Sequence, residues 1–364
     1  MDCTAATPLD ARQKQAFRRR LVAWFGKHAR DLPWRRSRDP YRIWLSEVML
    51  QQTTVAMAAP RFEQFLAAFP TVDRLAAADE QQVLRLWEGL GYYRRARGLH
   101  AAAREIVAQH GGQLPRDVAT LMKLPGVGRY TAGAVASFAY GVSAPIVETN
   151  TQRVLARLTG FRGEIAAGAS QRFLWNAAEA LLPRQGAGRY NLALMELGAL
   201  VCKPAAPRCD ACPVTMHCAA QAAGRQGEIP RLAPKQKITA VREAAVVVRK
   251  NGRVLLRQRP KGERWEGMWD FPRFALDGRG ARSDRRELIA KVREQTGVAI
   301  EPGELLHTLK HGVTRYRITL DCYAARPAGG RIRSTAARPV RWTPLAELAD
   351  LPLSVTGRTI ANSI

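Results

Sequence analysis

The sequence predicts a multi-domain protein in which an all-α domain comes first and a smaller α+β domain follows. Three observations support this interpretation. The chain has 364 residues, which is long for one compact core. Apolar residues recur every three or four positions through the first part, as in segments 71–90 and 169–182, and such spacing is typical of helices. Alternating apolar runs around a hairpin turn occur in the last third instead.

A change of composition marks the boundary between the two predicted domains. Residues 224–240 are basic and contain two prolines without any apolar periodicity, which is typical of a linker. We therefore predict a helical domain over 1–223 and a second domain over 241–364.

The second domain carries signals for both strands and helices. Runs of apolar residues at 243–249 and 253–257 flank Lys-Asn-Gly at 250–252, and an Asn-Gly turn between two such runs favours a β-hairpin. A helix is predicted over 283–295 and a strand over 315–323. This mixture predicts the α+β class.

The charge balance points to a polyanionic partner. Lysine and arginine total 57 against 31 acidic residues, a formal net charge of +26. Such a surface attracts phosphate and favours nucleic acid as the partner, although a GC-rich genome could also produce an arginine-rich composition. The sequence contains no apolar stretch of about eighteen residues, so no membrane span is predicted. The N-terminal segment lacks the apolar core of a signal peptide, so we expect a cytoplasmic protein.

Four of the six cysteines are crowded into one segment with the spacing C-x6-C-x2-C-x5-C. Thiolates this close in sequence can converge on one metal centre, whereas a disulfide framework is not expected in a chain of this kind. The spacing leaves a zinc ion and a [4Fe–4S] cluster both open. The predicted metal ligands are Cys202, Cys209, Cys212 and Cys218.

A glycine-rich turn between two helical stretches is a candidate phosphate site. Glycines let a backbone approach a ligand closely, and the N–H groups at the start of the next helix favour an anion. An ordinary turn between helices with a glycine cap is the alternative. The predicted DNA-binding residues of this turn are Leu124, Gly126, Val127, Gly128 and Arg129.

Three motifs resemble the helix–hairpin–helix DNA glycosylases, and within them the MutY-type adenine DNA glycosylase family. They are WLSEVMLQQT at 44–53, WEGLGYY at 87–93 and LPGVGRYTAG at 124–133, with the cysteine segment further on. The resemblance implies an enzyme of base excision repair that hydrolyses the N-glycosidic bond of adenine. It also implies a [4Fe–4S] cluster on the four cysteines, a monomer, and double-stranded DNA containing a mispair or an oxidised guanine as the partner.

Glycosidic cleavage needs an acid for the leaving base and a carboxylate for the sugar cation. Glu47 lies in an apolar stretch where burial should raise its pKa, and the resemblance makes it the general acid. Glu148 stands where the family usually has aspartate, with Asn150 to orient the carboxylate or the sugar. Tyr130 takes the position at which lyase relatives carry a nucleophilic lysine, so β-elimination through a Schiff base is not expected.

Further site residues follow from the resemblance. A base inside a duplex has to be extruded before it can react. Gln52 and Tyr92 would fill the space that the base leaves, beside Gln51 and Thr53. Trp34, Arg35, Leu50 and Leu192 would line the base pocket, and Leu192 replaces a glutamate or glutamine of the family.

Residues 241–364 resemble the Nudix-like domain with which this family recognises 8-oxoguanine. Where many bacterial relatives read the damaged guanine with Phe-Ser-His, this chain has Val313, Thr314 and Arg315. Together with Glu148 and Leu192, these departures leave two alternatives to adenine removal. One is a divergent paralogue that removes another mispaired base, and the other is a lesion-binding protein with weak catalysis.

Overall fold

The structure is a computed structural model, and it describes residues 9–233, 237–277 and 280–364. Contacts between Cα atoms divide the chain into two compact units. Unit 1 comprises Met1–Ala77 and Gly98–Pro234, and unit 2 comprises Ala78–Arg97 and Lys235–Ile364. The segment 78–97 therefore groups with the C-terminal part of the chain. The proposed linker, 224–240, includes residues 234–236, which lie outside the described ranges.

Helices make up the first two thirds of the chain, as predicted. None of those in the described residues combines the length and apolarity that crossing a membrane requires. Their bounds are α1 (Ala11–His28), α2 (Pro40–Leu50), α3 (Val55–Ala68), α4 (Val72–Ala76), α5 (Glu80–Leu86), α6 (Arg94–His110), α7 (Val118–Leu121), α8 (Arg129–Tyr140), α9 (Thr149–Thr159), α10 (Gly168–Leu181), α11 (Ala187–Leu200) and α12 (Ala219–Ala222).

Polar caps decide where several of these helices begin. Asp10 caps α1 in a reciprocal arrangement with Gln13, and Asp39 precedes Pro40 at the start of α2. The predicted helical segment 71–90 contains two short helices, α4 and α5, because Thr71 and Asp79 each cap a new start. The segment 169–182 forms α10, as predicted.

One hydrophobic cluster of unit 1 lies among α1, α9, α10 and α11. Phe17, Leu155, Leu174 and Leu197 are fully or almost fully buried in it. Ile229, from the predicted linker, is buried in the same cluster, and its carbonyl accepts a hydrogen bond from Arg157 Nε at 2.7 Å. The first part of the predicted linker therefore packs on unit 1. This contact was not predicted because the residues around Ile229 are mostly polar or basic.

Unit 2 contains a mixed seven-stranded sheet with helices on it. The bounds are β1 (Thr239–Lys250), β2 (Arg253–Gln258), β3 (Trp269–Asp270), β4 (Arg273–Ala275), α13 (Ala281–Thr296), β5 (Val298–Val313), β6 (Tyr316–Gly330), β7 (Val340–Pro344) and α14 (Val355–Asn362). Strand β1 pairs in parallel with β6, while the other pairings are antiparallel. The order is β3-β2-β1-β6-β5, with β4 added to β1 and β7 to β2.

Alternate residues of β1 serve two separate cores. Val246 and Val248 face a cluster that includes Val292 of α13, whereas Val247 faces a cluster that includes Ile360 of α14. Because side chains alternate along a strand, the apolar run of β1 is buried on both faces.

The predicted hairpin is confirmed. Asn251 and Gly252 have φ values of 48° and 70° between β1 and β2, the backbone that an Asn-Gly turn favours. The predicted helix 283–295 lies within α13, and the predicted strand 315–323 corresponds to the first half of β6. The α+β fold class is therefore correct for the second domain.

Candidate active site

Glu47 is buried on α2, with 4% of its surface exposed, between the buried side chains of Ser46 and Val48. Burial is the main cause that raises the pKa of its carboxyl to about 7, and the charge of Glu148 acts in the same direction. A hydrogen bond from Tyr130 and the positive charge of Arg35 lower the pKa of the same group. Glu47 can therefore hold a proton near neutral pH.

Tyr130 lies in the first turn of α8 and its hydroxyl donates a hydrogen bond to Glu47 Oε2. Burial, followed by the charges of Glu47 and Glu148, raises the pKa of the phenol well above its ordinary value. The phenol consequently stays protonated and acts as a donor. Helices α2 and α8 thus bring Glu47 and Tyr130 together from positions 83 residues apart.

Glu148 is the N-cap of α9 and both of its carboxylate oxygens are engaged. Oε2 accepts a hydrogen bond from the backbone N–H of Asn150, and Oε1 accepts one from the backbone N–H of Thr151, each at 2.8 Å. The Thr151 hydroxyl accepts in return from the Glu148 amide at 2.8 Å, which completes a capping box. Burial raises the pKa of Glu148, and the two amide donors oppose that rise. The carboxylate is fixed beside the start of a helix.

Asn150 is held by an arginine of the same helix. Arg153 Nη2 donates to Asn150 Oδ1 at 2.9 Å and to the Gly198 carbonyl at 2.8 Å, while Arg153 Nε donates to the Cys202 carbonyl at 2.7 Å. A Cβ at Gly198 would lie 2.7 Å from Asn150 Cβ, so only glycine allows α9 and α11 this approach. Arg153 therefore connects Asn150 to the start of the cysteine segment.

Arg35 is fixed by a buried carboxylate that the sequence analysis missed. Glu196 on α11 has a fully buried side chain, and its Oε2 accepts from Arg35 Nη2 and from Arg30 Nη2, each at 2.8 Å. Burial alone would raise the pKa of Glu196, but the hydrogen bonds from Arg30 and Arg35 hold that pKa at about 2. Glu196 thus stays ionised and positions the guanidinium that lowers the pKa of Glu47.

The remaining predicted pocket residues lie in unit 1 in different surroundings. Trp34 is buried against Phe62 with the ring centroids 5.5 Å apart, and Leu192 packs partly buried against the core of α9 to α11. Leu50 ends α2 and is partly exposed.

The residues after α2 turn sharply. Gln51 Nε2 donates to the Thr131 hydroxyl on α8 at 3.2 Å, beside Tyr130. Gln52 has a φ of 56°, a left-handed conformation that is uncommon for a residue other than glycine. Thr53 follows with its amide donating to the Leu50 carbonyl at 3.3 Å. Strained backbone of this kind clusters at functional sites.

The glycine-rich turn joins α7 to α8 as a helix–hairpin–helix. The Val127 amide donates to the Leu124 carbonyl at 3.1 Å, and Gly126 has a φ of 75°. A Cβ at Gly126 would lie 3.3 Å from Gly98 Cα, which explains the need for glycine there. Gly128 caps α8 without a side-chain acceptor from the described residues, so the first amides of α8 can bind an anion. Arg129 stacks its guanidinium 3.9 Å from the centre of the Trp175 ring.

The four predicted ligand cysteines share one region at the end of unit 1. The other three thiols add to the burial that raises the pKa of Cys212 to about 11. Among the described residues, no three histidine, cysteine or acidic side chains are gathered closely enough to hold a metal ion. Arg157 Nη1 donates to Cys202 Sγ at 3.2 Å and to the Lys203 carbonyl at 2.7 Å. Thiolates are the ligands that an iron–sulfur cluster takes, and a cation beside Cys202 is suited to offset their negative charge.

Unit 2 carries the remaining predicted residues. Tyr92 is 51% exposed and has a φ of 47°. Val313 is the last residue of β5, and Thr314 and Arg315 form the turn to β6, where Thr314 has a φ of 53°. Arg315 Nη2 donates to the Tyr316 hydroxyl at 3.0 Å. Two exposed turns of unit 2 therefore present candidate DNA-contacting side chains.

Sequence reasoning missed the arginines and the glutamate that fix the predicted residues. Arg153 and Arg157 are four positions apart on α9, and therefore on one face of that helix. Glu196 is a charged residue within the apolar stretch of α11, as Glu47 is within α2. That pattern is a signal for a buried, partnered charge, and it could have identified Glu196.

Comparisons with known proteins agree with both halves of the chain. Residues 45–180 match the HhH-GPD superfamily of base excision DNA repair proteins, and residues 243–362 match the NUDIX domain. A thermostable thymine-DNA glycosylase is similar in structure, with a TM-score of 0.52 and 28% identity over 58% of this chain and 98% of that one. An endonuclease III–DNA complex gives a TM-score of 0.51 and 25% identity over 60% and 99%.

Curated relatives extend the similarity along most of the chain. The adenine DNA glycosylase of Rattus norvegicus is 32% identical over 95% of this chain and 77% of its own length. That of Mycolicibacterium smegmatis is 45% identical over 56% of this chain and 69% of its own length. The similarity to the rat protein spans the helical region and the Nudix-like region together. The extent of this similarity shows that the chain belongs to the adenine DNA glycosylase family.

Proposed function

We propose that the protein is a monofunctional adenine DNA glycosylase that removes adenine mispaired with guanine or 8-oxoguanine. One observation carries this proposal. The buried carboxyl of Glu47, whose pKa is raised to about 7, lies beside the Tyr130 phenol and close enough to Glu148 for the two charges to interact. Two carboxyl groups in different surroundings suit one acid and one anion in the same reaction.

In the first step, protonated Glu47 donates its proton to a ring nitrogen of the extruded adenine. The C1′–N bond then breaks with its electron pair leaving on the base, and positive charge develops on the sugar. Glu47, now a carboxylate, accepts a hydrogen bond from Tyr130, which stabilises the new charge. This order requires Glu47 to be protonated before substrate cleavage.

Glu148 supplies the opposing charge for the sugar cation. Its two amide hydrogen bonds fix the carboxylate at the start of α9, so little reorganisation is needed when the cation forms. Water then adds to C1′ and loses a proton to Glu47, which regenerates the acid. Adenine and a DNA strand with an intact backbone are the products.

Strand cleavage does not follow from this arrangement. Tyr130 stands where lyase relatives carry a lysine, and a phenol cannot form a Schiff base with the opened sugar. The product should therefore be an abasic site that breaks only under alkali.

Three further groups would act on the DNA. The amides at the start of α8 and the Arg129 guanidinium suit a backbone phosphate. Tyr92 and Gln52, both in left-handed backbone conformations, would fill the gap left by the extruded base. The turn with Thr314 offers an exposed hydroxyl for reading the base opposite the adenine.

The four cysteines would hold a [4Fe–4S] cluster. When bound, a cluster would cross-link the loop that carries these four cysteines. Arg157 would compensate the negative charge of the thiolates, and Arg153 would tie the loop to Asn150. Purified protein should contain about four irons and four sulfides per chain. In a Cys202→Ser protein we expect the iron content and the visible absorption to fall, while a Cys322→Ser protein keeps both.

The test of the activity uses duplexes with one adenine opposite 8-oxoguanine or guanine, followed by alkali. We expect alkali-dependent breakage at the adenine, and no breakage before alkali is added. A Glu47→Gln protein, which cannot donate the proton, serves as the control and should be inactive. Tight, salt-sensitive binding without any base release would exclude the glycosylase and leave a lesion-binding protein.

A second candidate is the removal of another mispaired base. Leu192 takes a pocket position at which the resemblance places a polar residue, and a thymine-DNA glycosylase is among the structural relatives. The same assay should therefore include thymine and uracil opposite guanine. Release of one of these bases, but not of adenine, would select this alternative.

A further inference from the structure

The segment 78–97 belongs to the helical match by sequence, yet it groups with the C-terminal domain by contacts. The HhH-GPD match covers 45–180 without interruption, whereas unit 2 combines 78–97 with the chain from 235 onwards. We infer that the C-terminal domain holds this segment through Glu88 and thereby positions Tyr92, the residue proposed to enter the DNA. The inference deepens the proposed function and rests on it for the role of Tyr92.

An ion pair between Glu88 and Arg358 is the central contact. Arg358 Nε lies 3.0 Å from Glu88 Oε1, and Arg358 Nη2 lies 3.1 Å from Glu88 Oε2, a two-pronged geometry. The side chains are only 8% and 17% exposed. Arg358 also donates to the Leu348 and Leu351 carbonyls, at 2.5 and 2.7 Å. The guanidinium of Arg358 is thus held within the C-terminal domain by contacts that do not involve Glu88.

The segment 78–97 contacts the C-terminal domain at a second place, the loop that precedes β3. Gln81 Nε2 donates to the Gly267 carbonyl at 3.1 Å, and Arg97 Nη1 donates to the Glu266 carbonyl. Gly267 has a φ of 79°, and a Cβ there would lie 3.1 Å from Arg97 Nη1 and 3.6 Å from Leu84 Cδ1. The loop backbone therefore lies directly against this segment.

Arg85 adds a third contact. Its Nε donates to the Ala349 carbonyl at 2.7 Å, and its Nη1 lies 3.2 Å from Glu88 Oε2. Glu88 is therefore paired with one arginine from its own segment and one from the C-terminal domain. The contact to Gly267 near the start of α5 and the contact to Arg358 just after its end hold the segment at two points.

Tyr92 is connected to this anchored helix through the turn that follows it. Trp87 Nε1 donates to the Gly91 carbonyl at 3.1 Å, and Arg95 Nη2 donates to the Leu90 carbonyl at 2.9 Å. The Arg95 guanidinium lies 5.4 Å from the Trp87 ring centre and 5.7 Å from that of Tyr92. Glu88 comes directly after Trp87, so a shift of Glu88 moves the groups that support the turn.

Unit 2 therefore carries both of the turns that are proposed to contact DNA, the one with Tyr92 and the one with Thr314. The exposed Tyr92 and the Thr314 turn belong to the same unit, and Glu88 is the positioning residue that fixes the first of them. Glu88 touches no reacting atom and acts through Tyr92.

The test begins with amide hydrogen exchange in the full-length chain without DNA. Glu88→Gln keeps the shape of the side chain and removes its charge. We expect exchange at residues 88–97 to become about tenfold faster. The matched control is Glu294→Gln, which removes an acid from an exposed pair with Lys291 on α13 and should leave residues 88–97 unchanged. Unchanged exchange in Glu88→Gln would overturn the inference whatever the catalytic activity is.

A double-mutant cycle then separates positioning from general damage. Single-turnover adenine release from an adenine·8-oxoguanine duplex should slow about tenfold in Glu88→Gln. In a Tyr92→Ala background the same substitution should change the rate less than twofold, because the residue through which it acts is gone. Equal slowing in both backgrounds would show that Glu88 does not act through Tyr92.

The two proposals can fail separately. A wild-type chain that releases no adenine contradicts the proposed function, and hydrogen exchange still decides whether Glu88 holds the Tyr92 turn. An active wild-type chain whose Glu88→Gln variant exchanges and reacts normally contradicts only the inference.

Discussion

The hydroxyl of Tyr130 donates a hydrogen bond to Glu47 Oε2, and this bond lowers the pKa that burial has raised. In a Tyr130→Phe protein the donor is absent, so the pKa of Glu47 should rise above about 7. We expect the alkaline limb of the pH–rate profile to move to higher pH and the maximal rate to fall about tenfold, because the Glu47 carboxylate loses a stabilising partner.

The matched control for Tyr130→Phe is Tyr140→Phe on the same helix. Tyr140 donates to the Leu114 carbonyl at 2.6 Å instead of to a carboxyl group. Its substitution should leave the alkaline limb in place. An unshifted limb in Tyr130→Phe would show that the phenol does not interact with the acid of the reaction.

The wild-type rate should depend on pH in two directions. Glu47 donates a proton, so the rate should fall as pH rises through about 7, where its carboxyl ionises. Glu148 acts as an anion, so the rate should also fall as pH drops through its own pKa, which burial raises above the ordinary value. Single-turnover rates across the pH range measure both limbs, and a rate that stays flat above pH 7 would contradict the role of Glu47.

Glu148 can be tested by separating its charge from its length. Glu148→Gln keeps an oxygen acceptor for the start of α9 and removes the anion, so we expect about a hundredfold slower cleavage. Glu148→Asp keeps the anion and is a good N-cap, and we expect it to stay within about tenfold of wild type. If Glu148→Gln cleaves at the wild-type rate, the sugar cation is stabilised by another group.

Glu196 should contribute strongly to stability because it is a buried anion between two cations. Glu196→Gln leaves Arg30 and Arg35 without their counter-charge, and we expect the free energy of unfolding to fall by about 3 kcal/mol. The control is Asp31→Asn, which removes an exposed pair with Arg36 and should leave the free energy of unfolding almost unchanged. Urea unfolding measures both, and equal losses would contradict the buried role of Glu196.

Gly198 tests the close approach of α11 to Asn150. Alanine usually favours a helix interior, but its Cβ here would lie 2.7 Å from Asn150 Cβ and 3.0 Å from the Asn150 carbonyl oxygen. We expect Gly198→Ala to lower the free energy of unfolding by about 2 kcal/mol and to slow base release.

Gly168 on α10 offers the matched control for Gly198. A Cβ at Gly168 meets nothing nearer than Arg172 Nη1 at 3.9 Å. Gly168→Ala should therefore be neutral or slightly stabilising in the same unfolding experiment. If Gly198→Ala behaves in the same way, α9 and α11 are able to move apart without cost.

The sequence predicts the elements of this fold better than their contacts. Apolar spacing identifies α10, and the Asn-Gly pair identifies the β1–β2 hairpin, because both signals are local. The grouping of 78–97 with unit 2 was not predictable, since it depends on the pair between Glu88 and Arg358, which are distant in sequence. Ile229 was missed because a single apolar residue has no periodicity.

The candidate site shows the same division. Glu47, Tyr130 and Glu148 were found through motifs, and the structure brings them together. Their supports, Arg153 and Glu196, were missed because a sequence does not show which charge meets which carbonyl or guanidinium. The proposed contacts of Leu192 and of residues 313–315 with DNA stay a prediction.

Unit 2 is assembled from two stretches of chain that the ribosome makes at very different times. Glu88 and Arg358 are separated by 270 positions, so the first partner emerges well before the second exists. Contacts between residues so far apart in sequence are slow to form. Until Arg358 has been synthesised, Glu88 lacks its partner and α5 lacks part of the surface on which it packs. We expect unit 2 to mature last during synthesis. A chain truncated within α14, before Arg358, would therefore disturb the segment 78–97.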